Sequence, residues 1–449
     1  MTTEAPPAPV TFTEAGRFWA YLGWVSFGGP AGQIALLHSE LVQRRRWLSE
    51  RRFLHALNYC MVLPGPEAIQ LATYLGWLMH GVRGGLVAGG LFLLPSVLVL
   101  LSLASIYALW GQLPLLTAVF WALKPAVLAI VLQAAWRLGR RTLHTPLLVA
   151  IALAALLGLS LLHLPYALLL GGAALLGALA ARYRPHWIRR APAGHAHSGA
   201  VAALTAPPSP ALHDDRTPPP PHARFSRRGL ALALLAGGLA LGVPLAALGL
   251  ADGWNGLLAT MARFFSKVAL LSFGGAYAVL PFVAREAVND FGWLSATQMV
   301  DGLALGETTP GPLIMVVAFV GFMGGWHEGG TLARALAAGL VVVWFTFLPT
   351  FVFILAGAPL VEASREDLRL DGPLTAITAV VVGVIVSLAL FFAGPVLLPN
   401  GRVDVGAFAL LLASLALLLG RSWSVLQLIG VAALVGLLRA ALLGAGLLR

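Results

Sequence analysis

Charge is scarce in this chain, and lysine and cysteine are scarcer still. Charged residues fill 10% of the 449 positions and hydrophobic ones 59%, which excludes an ordinary water-soluble fold. Cys60 is the sole cysteine, so no intrachain disulfide can form. Of 29 basic residues only Lys124 and Lys267 are lysines, and both lie inside hydrophobic segments. The tail from Met1 to Gly16 has Glu4, three prolines and no basic stretch, which argues against a cleavable signal peptide. His38, His55, His80 and His327 are scattered, without metal-ligand spacing such as His-Glu-x-x-His. Neither a metal site, a cofactor nor an enzyme of lipid or cell-wall chemistry is expected.

What is abundant is apolar sequence of spanning length, about 20 residues per crossing. Candidate spans are 85–110, 113–136, 146–163, 165–181, 229–250, 331–356, 373–398, 404–420 and 424–447. Segments 17–37, 53–80, 256–283 and 296–325 are apolar too, but are interrupted by glycine and proline. The interruptions repeat. Ser26-Phe27-Gly28-Gly29, Glu40, Trp47-Leu48-Ser49 and Pro64-Gly65-Pro66 recur 246 residues later as Ser272-Phe273-Gly274-Gly275, Glu286, Trp293-Leu294-Ser295 and Pro310-Gly311-Pro312. The match needs no gap over roughly fifty residues, so it reads as an internal duplication. Paired interruptions in two membrane halves point to a carrier's binding site.

Charge placement orients the halves. Arg44, Arg45, Arg46, Arg51 and Arg52 lie between the two breaks of the first half, whereas Asp290 to Gln298 holds no Lys or Arg. Arg137, Arg140 and Arg141 follow a first-half span, while Arg402 stands alone at the related place. By the positive-inside rule the halves are inverted. The same rule accounts for the net charge of +11, with the arginines facing membrane lipid and no nucleic acid as partner. The expected layout is a cytoplasmic tail (1–16), a first repeat (17–182), a basic, Pro-rich cytoplasmic linker (183–228), a linking helix (229–250) and an inverted second repeat (251–449). The linker carries Pro218 to Pro221 and His195, His197, His213 and His222. Keeping the five arginines inside makes 53–80 a hairpin that enters and returns. Its arm Phe53 to Leu63 spans about 16 Å, half of a core about 30 Å thick. The fold class is therefore an all-α polytopic membrane protein, an inverted repeat with broken or re-entrant helices at Gly-Gly and Pro-Gly-Pro.

Helices that start at the midplane aim unpaired N–H groups and about half a positive charge into the interior. Four such starts, at Gly28-Gly29, Pro64-Gly65-Pro66, Gly274-Gly275 and Pro310-Gly311-Pro312, total roughly +2, suited to a tetrahedral dianion. Lys124 and Lys267 are expected to add charge, since ionisable groups inside a membrane face a pathway or a partner. Thr308, Thr309, Gln33 and Gln70 are neutral donors nearby. Glu67 and Glu307, beside the two Pro-Gly-Pro breaks, are the candidates for proton coupling. Glu40 and Glu286 stand near arginines and read as structural ion pairs.

These paired motifs resemble the chromate ion transporter family in its long, two-domain form. The resemblance rests on Ser26 to Pro30, Trp47-Leu48-Ser49, Leu63 to Pro66 and their second-half counterparts. It implies efflux of chromate through the bacterial inner membrane, giving resistance, by two oppositely oriented halves. Sulfate shares chromate's charge and shape, so a sulfate or other oxyanion carrier remains open. So do an anion channel, which would share the broken helices, and a homodimeric assembly.

Overall fold

The computed structural model describes residues 7–188, 211–214, 217, 220–363, 371–420 and 423–445. Glu4, His195, His197, Pro218 and Pro219 lie outside the described residues. The first repeat runs α1 (Phe12–Val25), α2 (Gly29–His38), α3 (Glu50–Val62), α4 (Glu67–Trp110), α5 (Pro114–Thr142), α6 (Pro146–Ser160) and α7 (Tyr166–Tyr183). Among the described residues one linking helix follows, α8 (Arg227–Asp252). The second repeat is α9 (Leu257–Leu271), α10 (Ala276–Arg285), α11 (Ala296–Thr308), α12 (Val316–Gly329), α13 (Leu332–Ala363), α14 (Asp371–Leu397), α15 (Val405–Gly420) and α16 (Val425–Gly444). The element orders match once α4 is divided. His80 and Gly81 interrupt it with non-helical dihedrals, where the second repeat breaks at the left-handed Gly330 between α12 and α13.

Each repeat opens with two helical hairpins, folded alike. Ser49 caps α3 through the Arg52 N–H, and Ser295 caps α11 through the Gln298 N–H. The Trp47 and Trp293 N–H groups close equivalent turns on the Leu41 and Ala287 carbonyls, both at 2.8 Å. The first repeat thus has two hairpins, 12–46 and 50–79, rather than the one expected from its arginines.

The hairpins of the two repeats enter from opposite faces. On the linker face, the Leu212 and His213 N–H groups donate to the Arg46 and Trp47 carbonyls, each at 3.0 Å. There too, His222 bonds the Trp77 carbonyl at 2.9 Å and His80 the Val10 carbonyl at 3.0 Å. On the far face, Arg334 grips Asp252 at the end of α8 (2.6 Å) and Glu328 at the end of α12 (2.9 Å). His327 there bonds the Trp293 carbonyl at 2.9 Å. Helix α8 joins the faces, its 26 residues rising about 39 Å.

The repeats also interlock. Helix α5 packs against α15 and α16 of the second repeat, while α14 packs against α6 and α7 of the first. Polar bonds pin both contacts: Gln133 donates to the Leu418 carbonyl (3.0 Å), and the Ser160 and Ser387 hydroxyls meet at 2.9 Å. Among the described residues seven helices are long and apolar enough to cross a membrane. The expected spans at 146–163 and 404–420 form shorter helices of 15 and 16 residues.

The inverted arrangement has a direct test. With Cys60 replaced, single cysteines at Ser49 and Ser295 should label from opposite membrane sides with an impermeant maleimide. Labelling from one side would contradict it.

Candidate functional site at the four helix breaks

Broken backbone inside a membrane must find partners within the protein, because lipid supplies none. Here the breaks satisfy one another across the repeats. The Gly65 N–H donates to the Ser272 carbonyl at 3.0 Å, and the Gly311 N–H to the Ser26 carbonyl at 2.6 Å. Ser26 matches Ser272 and Gly65 matches Gly311 in the 246-residue register, so each Pro-Gly-Pro closes on the other repeat's Gly-Gly break. The long helices add a second reciprocal contact. Ser96 of α4 donates to the Pro310 carbonyl, while Thr350 of α13 stands against Gly65. The turn 313–315 packs on α10, which links all four breaks into one cluster.

The six break glycines, Gly28, Gly29, Gly65, Gly274, Gly275 and Gly311, all have positive φ. At Gly311 (φ 99°) a side chain would also strike the Ser96 hydroxyl. Six helices that begin nearer a face, α1, α3, α6, α8, α11 and α16, are capped by Ser or Thr side chains. The four starts at the breaks, after Gly28, Pro66, Gly275 and Pro312, have no side-chain cap, and neither do α5, α7 and α9. Their N–H groups remain aimed at the break region. Buried hydroxyls without hydrogen-bond partners accompany them: Ser26 Oγ in the first break and Thr350 Oγ1 beside Gly65.

The expected neutral donors are committed elsewhere. Gln70 donates to the Pro64 carbonyl (2.9 Å) and Gln33 to the Ser26 carbonyl (3.4 Å), so both brace a break from within. Thr308 and Thr309 donate back to the Leu305 and Gly306 carbonyls. Glu307 accepts from the Tyr277 hydroxyl at 2.7 Å, joining the end of α11 to the first turn of α10. Glu67 is the half-buried first residue of α4. Glu40 is the expected ion pair, 2.7 Å from Arg44 and 3.5 Å from Arg45, whereas Glu286 makes no ion pair among the described residues and stands near Asp290 as well as Lys267 and Arg285.

The lysines take different places. Lys267 is exposed and holds its Nζ 5.2 Å from the centre of the Phe282 ring. Lys124 Nζ lies 3.4 Å from Asp301 Oδ1, and Tyr107 donates to Asp301 Oδ2 at 2.8 Å. Sequence reasoning missed Asp301, Tyr107, Tyr277, Ser96 and Thr350. Asp301 carried a signal, being an acid in an apolar segment with a lone lysine elsewhere to match it. The others look like ordinary helix residues.

Four uncapped helix starts gathered between inverted, interlocked repeats define a multi-pass membrane transporter. The chain belongs to the chromate transporter family, whose model matches residues 13–178 and 259–437. It is 31% identical over 388 residues to the chromate transport protein of Pseudomonas aeruginosa, covering 86% of this chain and 82% of that one. It is 28% identical over 428 residues to the chromate transport protein of Cupriavidus metallidurans, covering 95% and 93%. A probable chromate transport protein of Synechococcus elongatus is 27% identical over 370 residues, covering 82% and 81%. No solved structure matches the chain.

Gly311→Ala should lower thermal stability in detergent, at a cost on the order of 1–3 kcal/mol for the forced backbone. Gly172→Ala on α7, where an added Cβ meets nothing within 4 Å, should melt with the parent. Equal melting of all three proteins would show that the break tolerates a side chain.

Proposed function

We propose that this protein exports chromate from the bacterial cytoplasm across the inner membrane, with the dianion held at the four helix breaks. The observation that carries this reading is the set of midplane helix starts without side-chain caps, grouped with buried hydroxyls that lack partners. Such a cluster offers N–H donors and a positive field to a small tetrahedral anion. The relatives' names supply the oxyanion.

The arginine-rich linker face is cytoplasmic in this reading, because Arg44, Arg45 and Arg46 at the turn, and Arg51 and Arg52 in the first turn of α3, all lie where the linker docks. An inside-negative potential then favours outward movement of a dianion by about 2.3 kcal/mol per charge per 100 mV. Proton exchange is optional, with Glu307, bonded to Tyr277 beside two breaks, as the better candidate and Glu67 as the other.

Uptake into inside-out vesicles should be saturable for chromate and inhibited more strongly by sulfate than by phosphate, whose charge at neutral pH is divided. Backbone donors read charge and shape rather than element, so equal or better uptake of sulfate would favour the broader oxyanion carrier. Absence of saturable oxyanion uptake would overturn the reading. Glu307→Gln should abolish the pH dependence of that uptake while keeping substrate-driven counterflow. If Glu307→Gln and Glu67→Gln both retain it, neither residue carries the proton.

A further inference from the structure

We propose that Asp301, Lys124 and Tyr107 form an ionic latch that holds the far-face, periplasmic side of the transport route closed. The proposal rests on the midplane site described above and adds a gate to it.

The three groups come from three elements and both repeats. Asp301 is the sixth residue of α11, the inbound arm of the second repeat's re-entrant hairpin, and is only 3% exposed. Lys124 belongs to α5 and Tyr107 to the end of α4, both in the first repeat. Nine residues separate Asp301 from Pro310, which places the pair about 13 Å from the break. Tyr107 is three residues from the far-face end of α4. The triad therefore stands between the breaks and the far face, beyond direct reach of a ligand at the breaks. It ties a short half-helix to two long helices.

Symmetry gives the latch its meaning. In the 246-residue register Asp301 corresponds to His55, whose Nε2 is buried without a hydrogen-bond partner. In the 254-residue register that aligns Leu94-Pro95-Ser96 with Leu348-Pro349-Thr350, Lys124 corresponds to Thr378. Thr378 donates to the Leu374 carbonyl of its own helix. The linker-face counterpart of the latch thus lacks the carboxylate and the ammonium. An inverted-repeat carrier presents equivalent interfaces at its two faces. Here one is charge-locked and the other is not, so the far side is the one whose opening must part an ion pair. Removing one partner of such a pair strands a buried charge, so single variants test folding as much as gating. The neutral pair and the exchanged pair separate the two.

The experiment uses the full-length protein with Cys60→Ala and a reporter, Thr308→Cys, at the end of α11. An impermeant maleimide is applied from the periplasmic side. In the parent, labelling should be slow. In Lys124→Gln/Asp301→Asn it should rise about tenfold, and in Lys124→Asp/Asp301→Lys it should return toward the parent rate. Equal labelling of the parent and the neutral pair, at equal insertion, would overturn the latch and leave the triad a packing contact. The readout needs no substrate, so failure of chromate uptake and failure of the latch remain distinguishable.

Discussion

A helix broken inside a bilayer leaves N–H and C=O groups that lipid cannot satisfy, at several kcal/mol each. This protein meets that constraint by crossing its breaks: Gly65 to Ser272, and Gly311 to Ser26. Neither repeat can complete its own Pro-Gly-Pro turn, so the duplication is required by the backbone as well as by symmetry. The positive φ of the six break glycines, the close pass of Ser96 and Thr350, and the packing of α5 and α14 into the opposite repeat all follow from holding those bonds.

The two halves share this scaffold but differ in chemistry. Gln33, Gln70 and Thr73 of the first repeat correspond to Val279, Val316 and Phe319 of the second. Conversely, Tyr277, Asp301 and Glu307 correspond to Ala31, His55 and Met61. Bracing amides thus lie in the half that enters from the linker face, while Asp301 and Glu307 lie in the other; Glu67, at the first Pro-Gly-Pro, corresponds to Leu313. A symmetric cradle with unequal walls suits a transporter whose two faces meet different ion concentrations and opposite ends of the membrane potential.

Much of this was legible in the sequence. The 246-residue register, the re-entrant arm before Pro64 and the inverted arginine pattern follow from local rules of length, turn chemistry and charge. What stayed hidden depends on partners distant in the chain. No periodicity says that Gly65 bonds Ser272, or that Lys124 faces Asp301, because the same apolar helices could pair in several ways. The hairpin made by α1 and α2 was obscured because Gly28-Gly29 resembles a flexible kink until its flanking helices are seen to return to one face. Thr308, Thr309, Gln33 and Gln70 read as free donors, since sequence does not show that a backbone carbonyl already holds each hydrogen.

The central claim is that one tetrahedral dianion is held by the uncapped helix starts at the breaks. Anomalous diffraction from crystals grown with selenate, a scattering surrogate of the same charge and shape, tests it most directly. The account predicts a single selenium peak at the midplane, within hydrogen-bonding distance of backbone N–H groups following Gly28, Pro66, Gly275 or Pro312. A peak confined to the arginine-rich linker face, with the midplane empty, would contradict it.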